Sequence, residues 1–303
     1  MRARRPAGAA SAPREVGSVR PYVVDGGTAV VTGAAGGIGE ALARALAARG
    51  SHLALLDRDA ERLEGVASAL RAAHPLLGVR TYVVDLADRA ATARALDAVR
   101  ADHPRVTLVV SNAGVALGGL FRHLTLEEFW WVVEVNLRAT VQVVSALLPA
   151  LREQPGSHVV TVASIFGVVA PPGQSAYATS KFAVRGFTEA LRAELRPDGV
   201  GVTCVMPGGV RTRIAQDARG AASLSAEDVA AGRASFQRLL TMDPADVAEQ
   251  VLDAVERRRP RLLVGWSAKL PALLERLVPG ASTRVLGLLA RSSAPGRRLL
   301  RGR

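Results

Sequence analysis

The chain is expected to fold as a doubly wound α/β domain, a parallel sheet with helices on both faces. Three observations predict it. Short apolar strands alternate with Ala/Leu-rich amphipathic helices over residues 22–265, the pattern of βαβ units. A glycine-rich octet, Thr32-Gly33-Ala-Ala-Gly36-Gly37-Ile38-Gly39, lies between the first strand and the first helix. Asp57 ends the second strand eighteen residues after Gly39, where an acidic side chain can reach a ribose.

Taken in order, residues 1–21 have no periodicity and many breakers, and read as a disordered basic arm. Residues 28–32 (Thr-Ala-Val-Val-Thr) are a short buried strand, and 38–49 an Ala/Leu helix closed by Gly50. The alternation continues with a strand at 52–56, a helix at 59–73, a strand at 79–84, a helix at 89–101 and a strand at 106–110. A long helix at 126–151 precedes a strand at 158–162, a helix at 176–195 and a strand at 200–205. The Ala/Ser/Gly-rich stretch 217–226 reads as a mobile loop over a substrate, a helix capped by Asp243-Pro244 runs to 258, and 261–264 is the last strand.

Composition narrows the function classes. An apolar content of 49% with 22% charge over 303 residues is that of a globular chain with a sizeable core. The single cysteine, Cys204, sits in an apolar run as a buried, inert thiol and fits a reducing compartment. No uninterrupted apolar run reaches the roughly 18 residues of a membrane span, and the N-terminus lacks a secretory core, so a soluble, cytoplasmic protein is expected. The net charge of +12 divides into +4 on residues 1–21 and +10 on 256–303, leaving −2 on the body. Basicity confined to the ends disfavours a nucleic-acid-binding body.

Two constellations carry chemistry. Glycines in the octet permit a tight turn and close backbone approach, so that amides and the positive helix end face a pyrophosphate. Tyr177 and Lys181 stand at i and i+4 of the helix at 176–195 and so share a face. A fixed ammonium beside a phenol favours the phenolate, and the Tyr177 pKa is expected to be lowered. The five histidines show no metal-ligand spacing, and no metal site is expected; His123 and His158 read as surface or strand-end residues.

With these residues stand Ser111-Asn112-Ala113-Gly114 after the fourth strand, Asn136 in Val135-Asn-Leu137, Ser164 thirteen residues before Tyr177, and Pro207-Gly208-Gly-Val-Arg-Thr212. In this order and spacing the chain resembles the short-chain dehydrogenase/reductase family, compact single-domain type, over about residues 26–265. Ser111, where that family usually has Asn, is the departure. The resemblance implies a Rossmann-like domain and a hydride-transfer enzyme acting on a small-molecule secondary alcohol or ketone. It implies Tyr177 as acid/base, Lys181 as holder of the nicotinamide ribose, Ser164 as donor to the carbonyl oxygen, and Asn136 as holder of a water leading from Lys181 to solvent. It implies cofactor contacts at Gly33, Gly37, Ile38, Gly39, Asp57, Arg58, Asp85, Leu86, Asn112, Ala113, Gly114, Val210 and Thr212, and a homo-oligomer. The Asp57-Arg58 pair favours NAD, with NADP as the alternative, since a carboxylate repels a 2′-phosphate and the guanidinium offsets part of that. A non-catalytic nucleotide-sensing or membrane-scaffolding protein on the same fold is the competing function, and the intact Asn136, Ser164, Tyr177 and Lys181 argue against it.

Two stretches stand outside that chemistry. Phe129, Trp130 and Trp131 read as core or subunit-interface aromatics. Residues 266–303 read as a basic C-terminal extension, in which Leu270, Leu273, Leu274, Leu277 and Val278 line one helical face. That face fits packing on the domain or a partner subunit, or peripheral contact with a membrane.

Overall fold

The structure, a computed structural model, describes residues 21–280. The predicted arm, apart from its last residue, and the end of the basic extension lie outside the described residues.

The elements run β1 (Thr28–Thr32), α1 (Gly37–Ala47), β2 (His52–Asp57), α2 (Ala60–Ala73), β3 (Val79–Val83), α3 (Arg89–Asp102), β4 (Val106–Ser111), β5 (Leu117–Gly118), α4 (Leu126–Val133) and α5 (Ala139–Arg152). After these come β6 (His158–Val162), α6 (Ser175–Leu195), β7 (Gly201–Pro207), β8 (Arg219–Gly220), α7 (Ala226–Gln237), α8 (Pro244–Glu256), β9 (Arg261–Val264) and α9 (Trp266–Leu277). Seven strands form one parallel sheet in the order β3-β2-β1-β4-β6-β7-β9. This is the predicted Rossmann-like architecture. The order reverses between β1 and β4, which opens a crevice beyond the carboxyl ends of those strands.

The central strands β1, β2, β4, β6 and β7 are mostly buried because helices cover both faces. Leu42 and Leu46 of α1, Leu63 and Leu70 of α2, and Val251 and Leu252 of α8 pack with Ala29, Val31, Leu53 and Leu55 on one side. Leu96 of α3, Val143 and Leu147 of α5, and Leu191 of α6 pack with Val30, Leu56 and Val109 on the other. Each such Leu or Val contributes about 1.5–3 kcal/mol on burial, so the parallel sheet is held mainly by its two apolar faces. Helix starts follow capping chemistry: the carboxylates of Asp59, Asp88 and Asp243 accept the amides of Arg62, Ala91 and Ala245.

Three features depart from the sequence reading. The long helix is not uniform: a π turn over Glu134–Arg138 joins α4 to α5, with the Ala139 amide bonded to the Glu134 carbonyl. Leu126–Arg152 as a whole also has the length and apolarity of a membrane span, at hydropathy 1.3, although no uninterrupted apolar run produces it. It packs Val143, Val144, Leu147 and Leu151 into the core, as a covering helix of the sheet does. Second, the stretch read as a loop holds β8, paired with β5, and leads into α7, whose first turn is capped by Ser225. Third, His158 begins β6 but is fully buried; its Nε2 bonds the Thr203 hydroxyl, and burial pushes its pKa down to about 3.

Candidate active site

At the reversal between β1 and β4 the chain turns through Gly33 and Gly37, both in the left-handed region at φ 68° and 57°. Gly39, in the first turn of α1, has no room for a side chain: a Cβ there would lie 2.0 Å from the Gly33 carbonyl oxygen. The turn is clamped from β4. The Asn112 side-chain amide donates to the carbonyls of Thr32 and Gly33 at 3.0 and 3.2 Å, and the Asn112 and Ala113 amides donate to the Thr32 hydroxyl. From β2, the Asp57 carboxylate accepts the Ala35 amide at 3.0 Å and the Asp59 amide at 3.1 Å. Asp57 thus shapes the turn as well as facing the crevice.

The other half of the site is built on α6 and the end of β6. Lys181 is only 3% exposed and donates to the Val162 carbonyl at 3.0 Å, with its ammonium 5.6 Å from the centre of the Tyr177 ring. Ser164, which follows β6, accepts the Phe166 amide and stands in hydrogen-bonding reach of the Tyr177 hydroxyl. The Phe166 ring meets the Tyr177 ring edge to face at 6.1 Å and fixes its plane.

Asn136, 1% exposed, sits in the π turn behind this pair. Its side-chain Oδ1 accepts the Val115 amide at 2.8 Å, and its side-chain Nδ2 donates to the Val115 carbonyl and the Ser180 hydroxyl. Ser180 in turn donates to the Tyr177 carbonyl at 2.7 Å, so Asn136 locks the β4 exit loop to the start of α6. Ser111 has a role of its own: its hydroxyl donates to the Thr140 hydroxyl, which donates to the Asn136 backbone carbonyl.

These parts surround one cavity of about 710 Å³. Gly33, Gly37, Ile38, Asp57, Arg58, Asp85, Leu86, Asn112, Ala113, Gly114, Ser164, Tyr177, Lys181, Val210 and Thr212 line it. Gly39 and Asn136 do not; they stand behind the wall as spacer and brace. The sequence reading missed Arg62 and Arg213, which line the cavity with Asp57 and Arg58 and are paired with Asp59 and Asp217. Arg62 was within reach of sequence reasoning, since it lies three residues into the helix that Asp59 caps. Phe236, Leu239, Leu240 and Pro271 line the cavity as well, from chain segments far from any motif.

The expected lowering of the Tyr177 pKa does not hold in the protein without ligand. Burial outweighs its neighbours and pushes the phenol up to about 12, while the Ser164 hydrogen bond works in the lowering direction. Burial also drives Lys181 down to about 8.

Comparison with known proteins gives the geometry its context. The profile described as short chain dehydrogenase matches residues 27–222. The chain belongs to the short-chain dehydrogenase/reductase family. It is therefore an oxidoreductase of the class acting on CH–OH groups. A Mycobacterium tuberculosis protein that bears the name oxidoreductase SadH is 36% identical over 266 residues, covering 86% of this chain and 94% of that one. A short-chain dehydrogenase/reductase from Burkholderia phymatum, solved in complex with NAD, superposes at a TM-score of 0.77 with 30% identity, covering 84% of this chain and 95% of the other. One from Sphingobium yanoikuyae, solved with NADPH, superposes at 0.69 with 26% identity, covering 83% and 93%. Structural neighbours of this short-chain dehydrogenase/reductase thus bind NAD or NADP.

Proposed function

We propose that this protein interconverts a secondary alcohol and its ketone, with Tyr177 as the acid/base. The observation that carries the reading is the convergence of Ser164, Tyr177 and Lys181 on the same cavity that the glycine turn lines. The turn suits a dinucleotide. Gly36 has open space where a Cβ would stand, and the positive end of α1 faces the place a pyrophosphate would take. Asp57 would hold the adenosine ribose, Asp85 and Leu86 would border the adenine, and Val210 and Thr212 would meet the nicotinamide carboxamide. When bound, the nicotinamide accepts or supplies the hydride. The chain's own residues do the rest: Ser164 donates to the substrate oxygen, and Tyr177 takes its proton in oxidation or returns it in reduction. Lys181 would hold the ribose, while Asn136, through Val115 and Ser180, keeps the loop and α6 in register.

NAD is the preferred cofactor in this reading. A 2′-phosphate about 4 Å from the Asp57 carboxylate meets repulsion of roughly 4 kcal/mol at an effective dielectric near 20. Arg58, Arg62 and Arg213 oppose this only in part, since Arg62 and Arg213 are already paired with carboxylates.

The test is a panel of hydroxy- and keto-compounds, from small to steroid- and lipid-sized, followed by nicotinamide absorbance with both cofactors. Tyr177→Phe should lose about 10²-fold or more in turnover on any substrate found, with cofactor affinity close to wild type. Retention of a tenth of the activity would remove Tyr177 from the acid/base role.

A further inference from the structure

Helix α9 has two unlike sides. Ala268 and Ala272 pack against Ile165 and Val169, and Ser267 and Pro271 line the cavity wall. On the opposite side Trp266, Leu270, Leu273 and Leu277 fall within one arc at helical spacing, and all four face solvent, Trp266 at 83% and Leu277 at 68% exposure. Such a row of large apolar side chains on a described surface needs an occupant.

Charge identifies it. Lys269 and Arg276 are exposed on one flank of the arc, and the 23 residues after Gly280 carry Arg284, Arg291, Arg297, Arg298, Arg301 and Arg303 with no acidic residue. Two copies meeting through this face would bring like charges together. A nucleic acid would meet a row of leucines where it needs donors and stacking rings. An anionic lipid surface satisfies both parts: acyl chains take the apolar arc, and headgroups take the cations, with Trp266 suited to the boundary between them.

We propose that the outward side of α9 is a docking surface for anionic membranes. Because Ser267 and Pro271 belong to the same helix, docking places one wall of the cavity beside the lipid surface. The test uses the full chain and does not depend on turnover. Vesicles rich in phosphatidylserine should sediment with the protein, vesicles of phosphatidylcholine alone should do so far less, and raising salt to about 1 M, where screening acts over roughly 3 Å, should release it. Lys269→Glu with Arg276→Glu, two exposed positions that leave the packed side of α9 untouched, should weaken binding about tenfold or more. Leu270→Glu with Leu277→Glu should abolish it without changing the circular dichroism melt. Failure of the wild-type chain to bind phosphatidylserine vesicles overturns the proposal, as does undiminished binding by the two leucine replacements. If the chain ignores vesicles and those replacements halve its solution mass, the face belongs to a second copy.

Discussion

Lys181 shows how the site sets stability against chemistry. Burial is the dominant cause of its depressed pKa, about 8 against an ordinary 10.5, a difference equivalent to about 3 kcal/mol of destabilisation at neutral pH. The sign follows from proton counts. Between about pH 8 and 10.5 the unfolded chain holds the proton more than the folded one, so this group makes stability rise with pH across that window, and below it the penalty is complete. Tyr177 acts in the opposite sense at higher pH: with its pKa raised from 10 to about 12, the folded state keeps the proton longer, and stability falls between those values. Lys181→Met, similar in volume and uncharged, should therefore melt higher than wild type at pH 7 by an amount that shrinks towards pH 10. Thermal melts of the two proteins without cofactor from pH 6 to about 10 check this. A variant less stable at pH 7 would mean that the bond to Val162 outweighs the cost of burying the charge.

At the level of elements, the glycine turn separates a folding requirement from a binding requirement. Gly39 is boxed by the Gly33 carbonyl, whereas Gly36 stands over open space in extended backbone at φ 172°. Gly39→Ala should cost several kcal/mol through the displaced β1–α1 connection, on the scale of other overpacked core sites, at about 1–3 kcal/mol or more. Gly36→Ala should leave the urea midpoint almost unchanged and still weaken dinucleotide binding, because its new methyl occupies ligand space. Equal midpoints for the two variants would contradict this division. Most of the turn was legible because glycine pattern, strand and helix agree locally. The same holds for the sheet, whose seven strands follow from period and punctuation alone. Three other features needed tertiary context. The π turn at Glu134–Arg138 has no local marker, yet it places Asn136 against Val115 and Ser180. Helix α7 has a weakly amphipathic sequence, and only its Ser225 cap with Glu227 and Asp228 announced it. His158 read as a surface or strand-end residue; it does begin β6, and the strand order that puts β7 beside β6 buries it and supplies the Thr203 hydroxyl. Trp130 and Trp131 divide the expectation made for them: Trp131 lies under Arg219 at 3.9 Å, while Trp130 faces solvent.

On the scale of the whole molecule, the cavity draws on both halves of the sheet, with Asp57 ending β2 and Asp85 following β3 on one side of the reversal and Ser164 following β6 on the other. A ligand that spans it links the two halves, and its binding energy adds to the stability of the whole fold. At a hundredfold excess over the dissociation constant that gain is about 2.7 kcal/mol, and at about 2–4 °C per kcal/mol for a chain approaching this size it should raise the melting temperature by roughly 5 °C or more. The shift needs no substrate, so it reads the cofactor preference directly. NAD should stabilise the wild-type protein more than NADP at equal concentration. Asp57→Asn removes the charge and keeps one side-chain oxygen, which can accept the Ala35 amide but not also the Asp59 amide, so it should reduce the NAD shift, enlarge the NADP shift and lower the unliganded stability by about 1–3 kcal/mol. A larger NADP shift in the wild type would show that Arg58, Arg62 and Arg213 outweigh the carboxylate at this end of the cavity and would reverse the assignment.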